Sequence, residues 1–448
     1  MKPCILPWIN FGTNTFGRVR VCGYSDFKAH WKQIFIDRGY SGITSLQDLK
    51  GSNSDIKLSD DISKKEKIRF QKEVESWVYK LENSNISTEW NGIYFRELRN
   101  TFLKDQWPAN CNRCKYVEES GGTSKRMNEN HMWYEKYQHL IFETEEDGSV
   151  NYQPPHVDVR TGTVCNSKCI HCGPGASSKW QEDKSLFGKY SNVMEMDINN
   201  AWIAQSNKFW NDLDIGQIKK YNFLGGESFA NKRHNEFIQK LSQSQYAKDV
   251  ELQYVTNGSL ITKEKMLELN NFKKIRLRLS IDALGKAGEY FRYPLNWKLW
   301  CETCEMINDF IDNNDNFDVS FQWTCSNVSM FYFVDTHKFI TKNFPNIRFL
   351  YENHVTDPKH MSAQNLPIQL KKTITENIEK YGLTQWNSPE KDFQFYVNHM
   401  LKEDLWDEYG NVFLNYLDDI DIARNVSWTD SFSEMDLESY DFRNDDLD

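Results

Sequence analysis

The sequence contains no run of 18 apolar residues, so no segment reads as a membrane-spanning helix. Its opening residues, MKPCILPWINFG, lack a basic segment followed by an apolar stretch, and the expectation is a soluble, cytoplasmic chain without a secretion signal. There is no internal repeat, so a repeat architecture is not expected. Nor is there an excess of positive charge. The formal net charge is −10, with 54 Lys and Arg against 64 Asp and Glu. Eight acids from Thr429 onward, opposed only by Arg443, give −7 in the last 20 residues and about −3 elsewhere. A body so near neutrality does not advertise a nucleic-acid groove. The acidic tail is expected to be a solvated, frayed end.

What the sequence does have is material for cores. It is 39% hydrophobic and 14% aromatic, and at 448 residues it is long enough for two or three domains. It also has ten cysteines, which without a secretion signal point to metal or redox use rather than structural disulfides.

Three regions are expected. Residues 1–150 are aromatic-rich and carry Cys4, Cys22, Cys111 and Cys114, with a polar stretch at 51–69 that reads as a surface loop. EEDGSVNYQPP (145–155) reads as a linker, since its paired prolines disfavour helix. From His156 the pattern becomes strands alternating with helices: HVDVRTG, KYNFLGG, VELQYVTNG, KIRLRLSID, FDVSFQWTCS and NIRFLYE, with helical spacing in HNEFIQKLSQ and KEKMLELNNF between them. This alternation predicts an α/β fold, a parallel sheet wholly or partly closed into a barrel over 151–355. Residues 356–448 read as a helical extension ending in the acidic tail.

Cys165, Cys169 and Cys172 form C-x3-C-x2-C within VDVRTGTVCNSKCIHCG. Three thiolates on one loop can hold three irons of a [4Fe–4S] cube and leave the fourth open. Zinc is the other reading, but a structural zinc site wants a fourth ligand and a closed tetrahedron. His171, wedged between Ile170 and Cys172, is badly placed to supply it.

This loop after the first strand of an α/β barrel resembles the radical S-adenosylmethionine (SAM) superfamily. The resemblance implies a partial (β/α)6 TIM-like barrel whose open iron takes the amino and carboxylate groups of SAM. Reduction then yields methionine and a 5′-deoxyadenosyl radical that abstracts a substrate hydrogen. It further implies that His171 lies against the adenine. Gly225-Gly226-Glu227 is similar to the family's GGE motif, in which glycine lets the backbone approach SAM and the carboxylate suits its ammonium group. Taken alone, the Gly-Gly pair also reads as a tight strand–helix turn. Asn257 in Thr256-Asn257-Gly258 ends the third strand, where Asn-Gly is equally an ordinary turn signal. Ser280 and Asp282 end the fourth, and Ser280 resembles a group meeting the SAM ribose. Arg292, in EYFRYP, resembles an arginine that pairs with the SAM carboxylate. These clusters fall at the C-terminal ends of consecutive strands, where barrel enzymes assemble their sites.

The N-terminal cysteines form C-x12-G-x4-C (Cys4, Gly17, Cys22) and, much later, C-x2-C (Cys111, Cys114). With Pro7-Trp8, FRELRNTFL and WPANCNRC around them, they resemble the SPASM/twitch cluster-binding extensions of radical SAM enzymes. Two departures stand out: the region precedes the barrel, and Ser120 stands where a fuller pattern would continue with cysteine. The resemblance implies one auxiliary [4Fe–4S] cluster on Cys4, Cys22, Cys111 and Cys114, in an N-terminal α+β domain. Spacing alone leaves zinc open. Cys301 and Cys304 fall on the apolar face of a helical pattern, and these two and Cys325 are expected to pack as small hydrophobes. EESGGTSKRMNEN (118–130) reads as a surface loop.

The functional expectation is an enzyme modifying a peptide or protein by radical chemistry, fed by a reductant such as flavodoxin or ferredoxin. A small-molecule substrate is the alternative, and a non-catalytic iron–sulfur or zinc scaffold a further one. No general acid or base can be singled out among the many Glu, Asp and Tyr residues near strand ends.

Overall fold

A computed structural model describes residues 2–14, 17, 19–25, 49–50, 57–58, 85–186, 189–190, 207–382, 393–441 and 443. The polar stretch 51–69 falls almost wholly outside them. The chain forms two compact bodies, Met1–Gly162 with Trp202–Asn222, and Thr163–Ala201 with Phe223–Asp448.

In the first body, β1 (Asn10–Thr13) pairs antiparallel with β2 (Val19–Arg20). Gly17, at φ +78°, supplies the left-handed residue between them. Helices that follow include α1 (Ile93–Leu103), α2 (Asn112–Glu119) and α3 (Lys125–Tyr137). The chain then returns as β3 (His156–Arg160), parallel to β1 in the register Asn10↔His156. That N-terminal strand pair was not read from the sequence.

Trp8, Phe11, Trp90 and Phe95 form the buried centre, with Phe95 stacked 5.7 Å from Phe11 and tilted against Trp90 at 4.6 Å. Each such burial stabilises by about 1.5–3 kcal/mol. Arg99 is buried among them, its guanidinium donating to the carbonyls of Pro7 (2.9 Å), Gly148 (3.1 Å) and Trp90 (3.1 Å). The Pro-Trp pair and FRELRN thus belong to one interaction: α1 supplies the cation that satisfies the backbone of the Cys4 segment.

β4 (Lys220–Leu224) carries the chain into the second body. There α4 (Lys232–Ser242), β5 (Glu251–Thr256), α5 (Lys263–Leu269), β6 (Lys274–Ile281), α6 (Gly285–Phe291), α7 (Trp297–Ile311), β7 (Phe317–Cys325), α8 (Phe333–Asn343) and β8 (Arg348–His354) alternate. Side chains of Asn231, Thr262 and Asn296 cap α4, α5 and α7 by accepting from first-turn amides, which sets where these helices begin.

Strands β5 to β8 are parallel neighbours in order. Ile275, Leu277, Leu279 and Ile281 on β6 are buried on one sheet face, as are Leu252 and Tyr254 on β5 and Phe321 and Trp323 on β7. Trp300 of α7 lies 5.8 Å from Phe321 on that face. The opposite face carries Gln253, Arg276, Arg278, Ser280, Asp318, Ser320 and Gln322.

Three more helices, α9 (Ile368–Tyr381), α10 (Gln394–Lys402) and α11 (Trp406–Arg424), share one hydrophobic core with Ile170, Trp180 and Trp323. As far as Asp441 the C-terminal segment corrects the expectation of a frayed tail; residues 444–448 lie outside the described residues. Trp428, Phe432, Met435 and Leu437 are buried, and Arg443 pairs with Asp418 at 2.6 Å. Apolar side chains interleaved with the acids turn inward and hold the segment down. Cys304 and Cys325 are buried among apolar side chains, and burial raises both thiols. Among the described residues no helix is long and apolar enough to cross a membrane.

Candidate metal centres

The loop bearing Cys165, Cys169 and Cys172 has almost no secondary structure of its own, so its shape is set by what binds it. The amides of Lys168 and Ile170 donate to the carbonyls of Tyr293 (2.7 Å) and Phe291 (2.9 Å) at the end of α6. Asn257, just past β5, donates to Asn166 (2.8 Å) and Ser167 (3.2 Å). The Glu227 amide donates to the Val164 carbonyl at 2.7 Å. Gly226 explains how the strand end comes so near. It sits at φ +46°, and a Cβ there would meet the Val164 oxygen at 2.2 Å. No side chain fits.

Glu227 is fully buried and its carboxylate is already engaged. One oxygen accepts from the Phe229 amide (3.1 Å), the other from the Thr256 hydroxyl (2.9 Å) and the Asn257 amide (2.8 Å). The GGE turn is thereby tied to the end of β5, and burial raises the Glu227 pKa despite these donors.

Arg292 is buried, 2.6 Å from the Asp282 carboxylate, with a guanidinium nitrogen 3.8 Å from the Cys169 sulfur. Cys169 is pulled below the ordinary thiol value, first by the hydrogen bond from the Cys172 thiol and then by Arg292, against the effect of burial. Burial pushes Cys165 up to about 11. Cys172 is raised as the partner that keeps its proton. The His171 ring stacks on Phe291 at 5.0 Å, and burial lowers its pKa to about 4. An open cavity lies beside it, lined by His171, Cys172, Trp180, Tyr190, His360 and Tyr416. Ser280 stands opposite Gln322 on the polar sheet face, two residues before Asp282.

Several residues of this site were not read from the sequence. Lys168 of the loop is buried 2.5 Å from Asp183, whose other oxygen is 2.8 Å from Arg424 of α11. The Tyr416 hydroxyl, also on α11, donates to the Ile170 carbonyl at 2.6 Å. A lone Asp183 in a charged stretch gives no local signal of this role.

In the first body the four cysteines lie within electrostatic reach of one another. Cys4, Cys22 and Cys111 are each raised, first by burial and then by neighbouring thiols of the set, Cys114 among them in every case. The Cys4 segment is held by Asn130 of α3, which accepts from the Ile5 amide (2.9 Å) and donates to the Pro3 carbonyl (2.8 Å). The Tyr94 hydroxyl accepts from the Val21 amide (3.1 Å) and from Asn110 (3.2 Å), joining the Cys22 and Cys111 segments. The 118–130 stretch is a helix junction rather than an open loop: Ser124 caps α3, and Arg126 donates to Glu118.

A tetrahedral zinc would draw its sulfurs to about 2.3 Å from one point. Among the described residues, no group of three or more His, Cys, Asp or Glu converges on a single ion.

No protein-family model matches the sequence, and no curated protein matches it. Solved structures do. Streptococcus suis SuiB bound to its precursor peptide SuiA aligns at 14% identity over 61% of this chain and 60% of that one, with a TM-score of 0.32. SuiB bound to S-adenosylmethionine aligns at 15% identity over 64% and 60%, TM-score 0.31. Native anSMEcpe with bound AdoMet aligns at 14% identity over 50% and 60%, TM-score 0.32. The chain thus spans about 60% of the length of the structures it matches.

Proposed function

We propose that this chain is a radical SAM enzyme, with Cys165, Cys169 and Cys172 holding a [4Fe–4S] cluster and the adjoining strand ends holding SAM. The observation that carries this reading is the way the loop is held. An irregular three-cysteine loop is pinned from the GGE turn, the Asn257 turn and the EYFRYP segment, with a buried guanidinium against one sulfur. That donor set fits the group: thiolates are the ligands of iron–sulfur clusters, and Arg292 offsets their charge. The cluster and SAM together supply one-electron cleavage of a SAM carbon–sulfur bond.

The chain's own residues position and electrostatically tune that chemistry. Gly226 allows close backbone approach, Glu227 and Asn257 lock the two strand ends to the loop, and Arg292 and Asp282 place a cation and a carboxylate beside Cys169. His171 and Ser280 are the further SAM contacts in this reading. The strand–helix alternation forms the partial barrel. Residues 1–150 form a twitch-like domain whose Cys4, Cys22, Cys111 and Cys114 hold an auxiliary [4Fe–4S] cluster. The substrate is a peptide or protein, and the electrons come from a flavodoxin or ferredoxin in the cytoplasm.

Iron content tests the two-site assignment. Anaerobically reconstituted protein is expected to hold close to eight irons per chain, as two four-iron clusters. The variant with Cys165, Cys169 and Cys172 all changed to Ala should retain about four, with a [4Fe–4S] spectrum. Zinc in that variant, in place of iron, would make the first body's site a structural knuckle.

A further inference from the structure

The polar face of β6 and β7 carries charge for which the SAM site has no use. Arg276, Arg278 and Ser280 on β6 lie opposite Asp318, Ser320 and Gln322 on β7, and Arg348 of β8 adjoins Ser320. Only one of these side chains is acidic. Asp318 accepts Arg348 on one oxygen and has Arg276 3.8 Å from the other. Although burial acts against it, the surrounding guanidiniums hold its carboxyl below the ordinary value.

Arg278 is left with a neutral partner, the Ser320 hydroxyl at 2.5 Å. Gln322, only 8% exposed on the same face, has a carbonyl oxygen without a hydrogen bond. A half-buried guanidinium and a buried amide beside it are costly to leave this way unless a ligand completes them. At about 3.3 Å per residue, Arg278 lies about 13 Å along the strand from Asp282, with Ser280 between them. The row therefore runs from the cysteine loop down the sheet, opposite the face that Trp300 covers.

We propose that this row binds a carboxylate of the substrate, with Arg278 as its principal partner and the Gln322 carbonyl oxygen, nearer the cysteine loop, accepting from an N–H of the same substrate. The inference rests on the radical SAM reading for its placement of the reacting end, but the binding itself does not require cluster chemistry. An arginine fork matches a carboxylate with two parallel hydrogen bonds, and Arg278, although it adds to the positive field on Asp318, makes its side-chain hydrogen bond to the Ser320 hydroxyl rather than to a carboxylate.

The test is calorimetric titration of the full-length, reconstituted protein with three probes. N-acetyl-glutamyl-glycinamide presents an acidic side chain, N-acetyl-glutaminyl-glycine a terminal carboxylate, and N-acetyl-glutaminyl-glycinamide neither. One of the two carboxylate probes should bind at least ~10-fold more tightly than the neutral one, as expected for a charge-assisted pair. Which one does so assigns the source of the carboxylate. Arg278→Gln should reduce that preference to below ~3-fold, and Arg278→Lys, which keeps charge without the fork, should retain part of it. Should Arg278→Gln fail to fold, the Lys variant carries the comparison. Equal binding of all three probes, or an unchanged preference in the variants, overturns the proposal. SAM affinity measured on the same wild-type protein separates the two readings. Failure to bind SAM sinks the radical SAM assignment and leaves the carboxylate preference to stand or fall by itself.

Discussion

Arg292 is the residue at which the electrostatics of the second body concentrate. Its guanidinium is buried between the Asp282 carboxylate and the Cys169 sulfur, so it offsets negative charge on both sides. If it also faces the SAM carboxylate, Arg292→Ala removes a charge-assisted pair. SAM binding should then weaken by about 1.5–3 kcal/mol, and Arg292→Lys should recover part of the loss. Wild-type affinity in an equilibrium titration of the Ala variant would reject this role. Glu227 is a different case. A sequence with Gly-Gly-Glu at a strand end suggests a carboxylate aimed at a ligand. Here its oxygens are engaged by Phe229, Thr256 and Asn257, so its visible work is to hold the turn in place. Nothing in the residue types distinguishes those two uses; only the three-dimensional neighbours do.

Among the elements, α11 has the largest unforeseen role. Its Arg424 reaches Asp183 and its Tyr416 reaches Ile170, contacts that span 241 and 246 residues of sequence. Asp183 bridges Arg424 and Lys168, and the side chains of both Asp183 and Arg424 are fully buried. Asp183→Ala should therefore leave the buried Arg424 without its carboxylate, and Lys168 with only the more exposed Glu182 at 3.3 Å, and destabilise the second body by about 3–5 kcal/mol. Chemical denaturation checks this, and a loss below ~1 kcal/mol would contradict the bridging role.

The regular elements themselves were legible. Strands β4 to β7 and helix α7 coincide closely with the segments read from period-two and helical spacing, because those signals are local and the β6 alternation is unbroken from Lys274 to Ile281. The short β1 and β2 were missed because a four-residue and a two-residue strand carry too few alternations to register. The tail misled for another reason. Its acids dominate the composition, while Phe432, Met435 and Leu437 turn inward and decide its packing.

For the molecule as a whole, Cys165, Cys169 and Cys172 lie on one loop of the second body, and Cys4, Cys22, Cys111 and Cys114 lie on separate segments of the first. The proximity of Cys4 and Cys22 to Cys111 and Cys114 depends on Tyr94, Arg99 and Asn130, whose hydrogen bonds no spacing rule reveals. An enzyme whose three-cysteine loop activates SAM must cleave it. Anaerobically reconstituted protein, given SAM and a strong reductant, should release 5′-deoxyadenosine. The variant with Cys165, Cys169 and Cys172 changed to Ala should release none, and unchanged release from that variant would contradict the account.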